Sequence, residues 1–203
     1  ACHVIIVGDE THTTEDAKKQ LLEFKEKTVG REFEILPDVE AAINSFLVDD
    51  VPLAKWLTKQ KYFIIDCFKS TNCNNLHILH QSLYDFSTLY DDLDVNLTRK
   101  GDRHIKSILG SYIATYCEYR GEHHAILKDW DSTYFWGVIG DDNKKDTISK
   151  IQSKYTPIFE KYQIDVLNTE HIKQIIHEIE TGCSIKPYIE NTLRQITGDI
   201  SAL

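Results

Sequence analysis

The sequence has no methionine, no long apolar run and no basic block, and each absence narrows the class of protein. No segment approaches the roughly 18 consecutive apolar residues that a membrane-spanning helix needs, and the N-terminus lacks the basic region and apolar stretch of a signal peptide. We therefore expect a soluble protein without a membrane partner. Because Ala1 stands first, the missing methionine is expected from a removed initiator or from a piece of a longer chain, and both explanations stay open.

The cysteines do not form a recognisable disulfide framework. There are five of them, an odd number at irregular spacing, in a chain of 203 residues that is long enough to bury a core without disulfides. We therefore predict an intracellular protein in a reducing compartment, either cytoplasmic or nuclear.

The charge balance disfavours nucleic acid as a partner. The chain has 32 acidic and 23 basic residues and a formal net charge of -9, which repels a phosphate backbone. Net charge describes only the distant field, so a local basic face stays open. With 41% hydrophobic and 27% charged residues, the composition is that of an ordinary globular protein.

Hydrophobic patterning predicts an α/β fold with mainly parallel strands. Residues 4–7, 33–36 and 62–65 are short apolar runs, typical of strands that are covered on both faces. Helical spacing of apolar residues separates these runs, so residues 1–72 are predicted to form a first β-α-β-α unit followed by a third strand.

The rest of the chain is predicted to form an insertion and a second unit. Apolar residues recur every three or four positions within residues 73–128, which predicts a helical insertion broken by the polar stretch 91–102. Residues 129–203 repeat the opening pattern at an offset of 131 or 132 residues, with expected strands at 134–139 and 164–167, which predicts a second β-α-β-α unit and a weak internal duplication. The alternative is that the two units resemble each other only because both follow the patterning rules of β-α-β-α units, without any duplication. Asn168 or Thr169 is expected to cap the last unit's second helix, and Pro157 to break or kink its first.

Acidic side chains follow the predicted strands. They are Asp9, Glu10, Asp66, Asp141 and Asp142. If these carboxylates meet at one sheet edge, their mutual repulsion would favour a bound Mg²⁺, with Asp66 and Asp9 as the catalytic residues of a phosphoryl-transfer reaction. The alternative is that these acids only begin loops near helix N-termini, where negative charge is favourable.

The turn that begins at Gly8 is a second candidate ligand site. Gly8 and Thr11 lie where backbone donors and hydroxyl groups at a helix N-terminus could bind an anion. The turn lacks a Walker lysine and a Gly-x-Gly-x-x-Gly pattern, and a plain capped turn is the alternative.

Isolated positions resemble two phosphoryl-transfer families. The run from residue 4 to Glu10 with Asp66 resembles response-regulator receiver domains, but Gly8 stands where an acid is expected. Residues 63–71 with 140–146 look like those of haloacid-dehalogenase-type phosphatases, but Phe68 occupies the place of the second aspartate. Both departures remove a residue that the chemistry needs, so no family is assigned.

These observations predict a non-catalytic intracellular binding or regulatory module that acts through protein–protein contacts or self-association. The reason is that the regular units contain no complete catalytic set. Tyr112, Tyr116 and Tyr119 are predicted to contribute to a partner surface, with interdomain packing as the alternative. The alternative function is a magnesium-dependent phosphoryl-transfer or phosphohydrolase enzyme that uses the strand-end carboxylates.

Overall fold

A computed structural model describes residues 14–28, 37–47, 53–121, 123–128 and 142–198, and within these ranges the chain forms helices and no strands. The helices are α1 (Glu15–Thr28), α2 (Val39–Phe46), α3 (Ala54–Lys59), α4 (Lys61–Ser70), α5 (Leu76–Asp92), α6 (Val95–Lys100), α7 (Asp102–Arg120), α8 (His124–Leu127), α9 (Asp142–Lys161), α10 (Thr169–Thr181) and α11 (Lys186–Thr197). The chain divides into two compact units, Ala1–Leu36 and Pro37–Leu203. The domain boundaries expected near residues 72 and 128 stay predictions.

The predicted α/β fold is wrong for the described part of the chain. Residues 62–65, the expected third strand, lie inside α4, and residues 164–167, an expected strand of the second unit, have no regular secondary structure. The expected strands at residues 4–7, 33–36 and 134–139 lie outside the described residues. The β-α-β-α units and the duplication inferred from them are therefore replaced by an arrangement of α-helices.

Burial on several sides explains why the residues of α4 have the apolar pattern of a buried strand. Phe63, Ile64, Cys67 and Phe68 are all at most 1% exposed, because α4 packs against α2, α3, α7 and α9. A short apolar run fits a fully buried helix as well as a buried strand, and periodicity alone does not separate the two. The contacts of α4 with four other helices favour a helix over a strand for these residues.

Helix α7 forms the centre of the second unit. From Ile105 to Tyr119 its residues are buried, with Lys106 as the half-buried exception, and it packs against α4, α5, α9 and α10. The expected helical periodicity of residues 76–127 is confirmed by α5 and α7. A helix that is buried all round places any polar side chain on it in the interior, which matters for the site described below.

Side-chain caps define several helix starts. Asp38 accepts a hydrogen bond from Ala41 N at 2.9 Å at the start of α2. Asn168 accepts one from Glu170 N at 2.7 Å at the start of α10, as predicted. Helix α9 continues to Lys161 with Pro157 inside it, so the proline does not end the helix.

Among the helices that the structure describes, none is both long enough and apolar enough to span a membrane.

Gly110 allows α7 to approach two aromatic rings closely. A Cβ atom at this position would lie 2.7 Å from Phe159 Cζ and 2.8 Å from Phe63 Cζ. We expect Gly110→Ala to lower the free energy of unfolding by about 1 to 3 kcal/mol through overpacking, although alanine favours a helix over glycine by about 1 kcal/mol. Urea denaturation followed by circular dichroism measures the change.

The double variant Gly110→Ala with Phe159→Leu is the control for this prediction. Phe159→Leu removes one of the two close contacts, so if the clash is the cause, the two substitutions together cost less than the sum of their separate effects, by about 0.5 kcal/mol or more. Additive losses would contradict the close approach of α7 and α9.

Candidate functional site: a buried carboxylate beside a thiol pair

The side chain of Glu118, near the end of α7, is the centre of a buried polar cluster. It is 3% exposed and accepts a hydrogen bond at Oε1 from Lys154 Nζ at 2.7 Å and from the Tyr155 hydroxyl at 2.8 Å, both on α9. His123 Nδ1, at the start of α8, lies 2.7 Å from Glu118 Oε2. We refer to Glu118, His123, Lys154 and Tyr155 as the Glu118 cluster.

The cluster joins four segments of the chain. In addition to its bond to Glu118, Lys154 Nζ donates a hydrogen bond to the backbone oxygen of Thr71 at 3.0 Å. This bond connects α9 to the loop between α4 and α5. A buried carboxylate is costly unless it is paired, and this one has partners at both oxygens. Burial and the adjacent Glu118 raise the pKa of Tyr155, so its hydroxyl keeps its proton and continues to donate. Because both carboxylate oxygens of Glu118 already have hydrogen-bond partners, this side chain is better suited to holding the helices together than to transferring a proton to an outside substrate.

A pair of thiols lies beside the cluster. Cys117 precedes Glu118 on α7 and is buried, whereas Cys73 is half-buried in the α4–α5 loop, and the two thiols lie close enough for each to shift the pKa of the other. Cys73 N donates to Thr71 Oγ1 at 2.9 Å, which holds the loop. The hydrogen bond from Cys117 lowers the pKa of Cys73 despite burial, and the same bond together with burial raises the pKa of Cys117.

Asp66, the predicted catalytic residue, lies on α4 and is occupied by two partners. Lys161 Nζ lies 2.6 Å and the Tyr162 hydroxyl 2.7 Å from Asp66 Oδ2, so the carboxylate ties α4 to the end of α9. Burial raises the pKa of Asp66, but the hydrogen bonds from Lys161 and Tyr162 outweigh burial and hold the pKa below its usual value. The carboxylate is therefore charged and paired with a cation at neutral pH.

The other predicted metal ligands cannot be compared in the same way. Asp9, Glu10 and Asp141 lie outside the described residues, and so do Gly8 and Thr11 of the predicted anion turn. Asp142 is the first residue of α9, and its side chain is not described. In the described ranges no group of three or more His, Cys, Asp or Glu side chains could hold a metal ion. The magnesium site stays a prediction.

Tyr112, Tyr116 and Tyr119, predicted to form a partner surface, lie in the interior along α7. Tyr112 and Tyr119 donate hydrogen bonds to Glu178 and Glu180 of α10, and Tyr116 donates one to Asp85 of α5. They are at most 5% exposed. The rings fill the core while the hydroxyl groups bond to carboxylates at its edge, a common use of tyrosine. Their part in association stays a prediction.

Sequence reasoning missed the Glu118 cluster and the thiol pair. Glu118 gives little local signal, because its partners at Oε1, Lys154 and Tyr155, are 36 and 37 residues away in the chain. His123 and Cys73 belong to no sequence motif that marks a site. The one signal concerns Glu118 itself: α7 is apolar enough to be buried along most of its length, which makes a carboxylate near its end unusual. Comparisons with protein-family models, with curated proteins and with solved structures found no match to this chain.

Proposed function

We propose that this chain is a non-catalytic binding module that acts through protein–protein contacts at the outer face of α4. The observation that carries the proposal is the contrast between two neighbours on that helix. Asp66, the carboxylate expected to perform chemistry, is bonded to Lys161 and Tyr162, whereas Tyr62, one turn earlier, is 70% exposed. An exposed tyrosine suits a contact site, because the ring supplies apolar area and the hydroxyl group a hydrogen bond.

The charge around Tyr62 indicates the chemistry of the partner. Tyr62, Asp66 and Lys69 follow one another at helical spacing along α4, and Lys69 is close enough to Asp66 to lower its pKa. The Lys161 side chain, which is 63% exposed, adds a second positive charge beside Asp66. We call Tyr62, Lys69, Lys161 and Tyr162 the Tyr62 surface.

Lys69 and Lys161 exceed the one carboxylate between them, Asp66, by a single positive charge, so the Tyr62 surface is a weakly basic and aromatic face on a chain whose formal net charge is -9. Such a face fits a protein segment that presents acidic side chains, while the net charge disfavours the uniform negative charge of nucleic acid. A reducing compartment, cytoplasmic or nuclear, remains the proposed location. The alternative of magnesium-dependent phosphoryl transfer through Asp66 has no supporting contact among the described residues.

Photo-crosslinking tests this function with two exposed tyrosines. We expect a photoreactive phenylalanine at position 62 to form a discrete crosslinked species with a second protein in cells, and the same residue at position 84 to form none. Tyr84 is the matched control because it is 50% exposed but lies on α5. Once the partner is identified, Tyr62→Ser is expected to weaken binding by about tenfold or more, because interface tyrosines carry a large share of binding energy.

Two further measurements can overturn the proposal. The free energy of unfolding of Tyr62→Ser should stay within about 0.5 kcal/mol of wild type, as for other surface substitutions. A large loss would identify Tyr62 as a packing residue. Hydrolysis of a phosphate ester by the purified chain with Mg²⁺, abolished in Asp66→Asn, would establish the enzymatic alternative instead. Equal crosslinking from positions 62 and 84 would also contradict a specific surface on α4.

A further inference from the structure

Two of the described cysteines are placed to react with each other. Cys73 lies in the α4–α5 loop and Cys117 near the end of α7, 44 residues later. Lys154 Nζ bonds both the Thr71 backbone oxygen, two residues before Cys73, and Glu118, the residue after Cys117, and the two thiols lie close enough for each to shift the pKa of the other. The loop is held in position by Cys73 N, which donates to Thr71 Oγ1, and by Lys154, which donates to the Thr71 backbone oxygen. The other described cysteines differ, since Cys67 is fully buried and Cys183 is exposed beyond the end of α10.

We propose that Cys73 and Cys117 form a reversible redox site, which a hydroperoxide oxidises to an intramolecular disulfide. The Cys73 thiolate attacks one oxygen of the hydroperoxide, the O–O bond breaks, and the other oxygen leaves and takes up a proton as an alcohol or water. Cys73 is then a sulfenic acid. The Cys117 sulfur attacks the Cys73 sulfur, the S–O bond breaks and water leaves. Two thiols lose two electrons, and the hydroperoxide gains them. A thiol reductant reverses the reaction by disulfide exchange.

The surroundings of the two sulfur atoms favour Cys73 as the first nucleophile and Cys117 as the resolving thiol. Cys73 is half-buried, so a small oxidant can reach it, and its pKa is lowered by the hydrogen bond from Cys117. The thiolate is the reactive form of cysteine, so this hydrogen bond favours Cys73 as the first nucleophile. Cys117 is buried and remains a thiol until Cys73 is oxidised, because the bond to Cys73 and burial raise its pKa. Oxidation removes that bond, and Cys117 becomes the resolving thiol.

The disulfide would act on the Glu118 cluster. It would join the α4–α5 loop covalently to α7 next to Glu118, where Lys154 already links the two by hydrogen bonds. A disulfide between residues 44 positions apart reduces the number of conformations open to the unfolded chain, which stabilises the folded protein. We therefore expect the oxidised protein to melt roughly 5 to 10 °C above the reduced protein. The redox state would thereby set how firmly the loop is held.

The experiment uses the intact chain and hydrogen peroxide. The reduced protein is treated with peroxide, alkylated and measured by intact mass and by tryptic mapping. We expect a monomer that has lost two hydrogens and has two fewer alkylated cysteines, with the peptides 70–99 and 107–120 joined. The rise in melting temperature should vanish after treatment with a dithiol reductant. Cys183→Ser, the exposed-thiol control, should behave as wild type in every measurement.

Variants separate the proposed order of steps. Cys117→Ser should accumulate a sulfenic acid at Cys73 that a dimedone probe labels, whereas Cys73→Ser should show neither label nor disulfide. If Cys117→Ser does not fold, the wild-type mapping and Cys73→Ser still decide the question. A joined pair other than Cys73 with Cys117, oxidation that stops at isolated sulfinic acids, or crosslinked dimers through Cys183 alone would overturn the proposal.

Discussion

Glu118→Ala is expected to lower the free energy of unfolding by about 3 to 5 kcal/mol, the usual cost of removing one partner from a buried ionic cluster. The substitution leaves the Lys154 ammonium and the Tyr155 hydroxyl without their shared acceptor at Oε1, and His123 without Oε2. Lys154 is only 26% exposed, so water replaces the lost carboxylate incompletely. Urea denaturation at pH 7, with extrapolation to zero denaturant, measures the loss.

Asp146→Ala provides the matched control for Glu118. Asp146 also pairs with a lysine, Lys150, at 2.6 Å on α9, but the two side chains are 63% and 70% exposed. Exposed pairs contribute less than about 1 kcal/mol, so this variant should lose little. Glu118→Gln retains an acceptor oxygen without the charge and should fall between the two. A loss below about 1 kcal/mol for Glu118→Ala would show that the cluster does not bind α7 to α9.

The second large effect is a loss of stability in mild acid that depends on His171 of α10. Its ring is 8% exposed, and among the described residues neither ring nitrogen has a hydrogen-bond partner. Burial lowers its pKa from 6.5 to about 4; of the charged groups that face it, His104 of α7 lowers the pKa further, whereas Glu170 and Asp165 raise it. Tyr188 of α11 packs edge-on against the ring. The folded protein therefore holds His171 in its neutral form.

The direction of the pH effect follows from proton uptake on unfolding. Below pH 6.5 the unfolded chain binds a proton at His171, whereas the folded chain does not bind it until about pH 4. Stability from this residue is thus complete above pH 6.5 and falls as the pH decreases to 4, by about 3 kcal/mol in total. Denaturation curves at half-unit steps between pH 7 and pH 4 measure the effect.

His171→Phe isolates this histidine from the other titrating groups. Phenylalanine keeps a ring against Tyr188 and removes the proton-binding nitrogens. We expect the difference in stability between wild type and His171→Phe to change by about 3 kcal/mol across the interval from pH 6.5 to 4. His77→Gln, an exposed histidine on α5, should leave the pH profile unchanged. Parallel profiles for wild type and His171→Phe would show that the buried ring does not titrate with a lowered pKa.

Local sequence signals were sufficient for several helices and their starts. Asn168 was predicted to cap a helix because a short polar side chain competes well for exposed backbone donors, and it accepts a hydrogen bond from Glu170 N. The spacing of apolar residues in 76–120 predicted helices because a face repeating every three or four residues must be buried along one side. These features depend on neighbours within one or two turns, so the sequence carries them directly.

Residues 62–65 show where the local signal ends. Their apolar, partly β-branched pattern is compatible with a buried strand and with a buried helix. Phe63 packs against Phe159 of α9 and against Tyr162 just after the end of α9, with ring centroids 6.2 Å and 5.1 Å apart, as expected for a helix surrounded by other helices. Contacts with residues almost a hundred positions later in the chain decided the structure, and no window of sequence contains both partners.

The same distinction applies to the candidate site. The length, the net charge of -9, the odd number of cysteines and the helical faces of α5 and α7 follow from the residues alone. The residues also point to Asp66, but the packing of α4 against α9 is what brings Lys161 and Tyr162 to that carboxylate. Only the tertiary structure also brought Cys73 to Cys117 and Lys154 to Glu118. The physical reason is that pairing energies depend on distance and burial, and both are set by how helices far apart in the chain pack around α7.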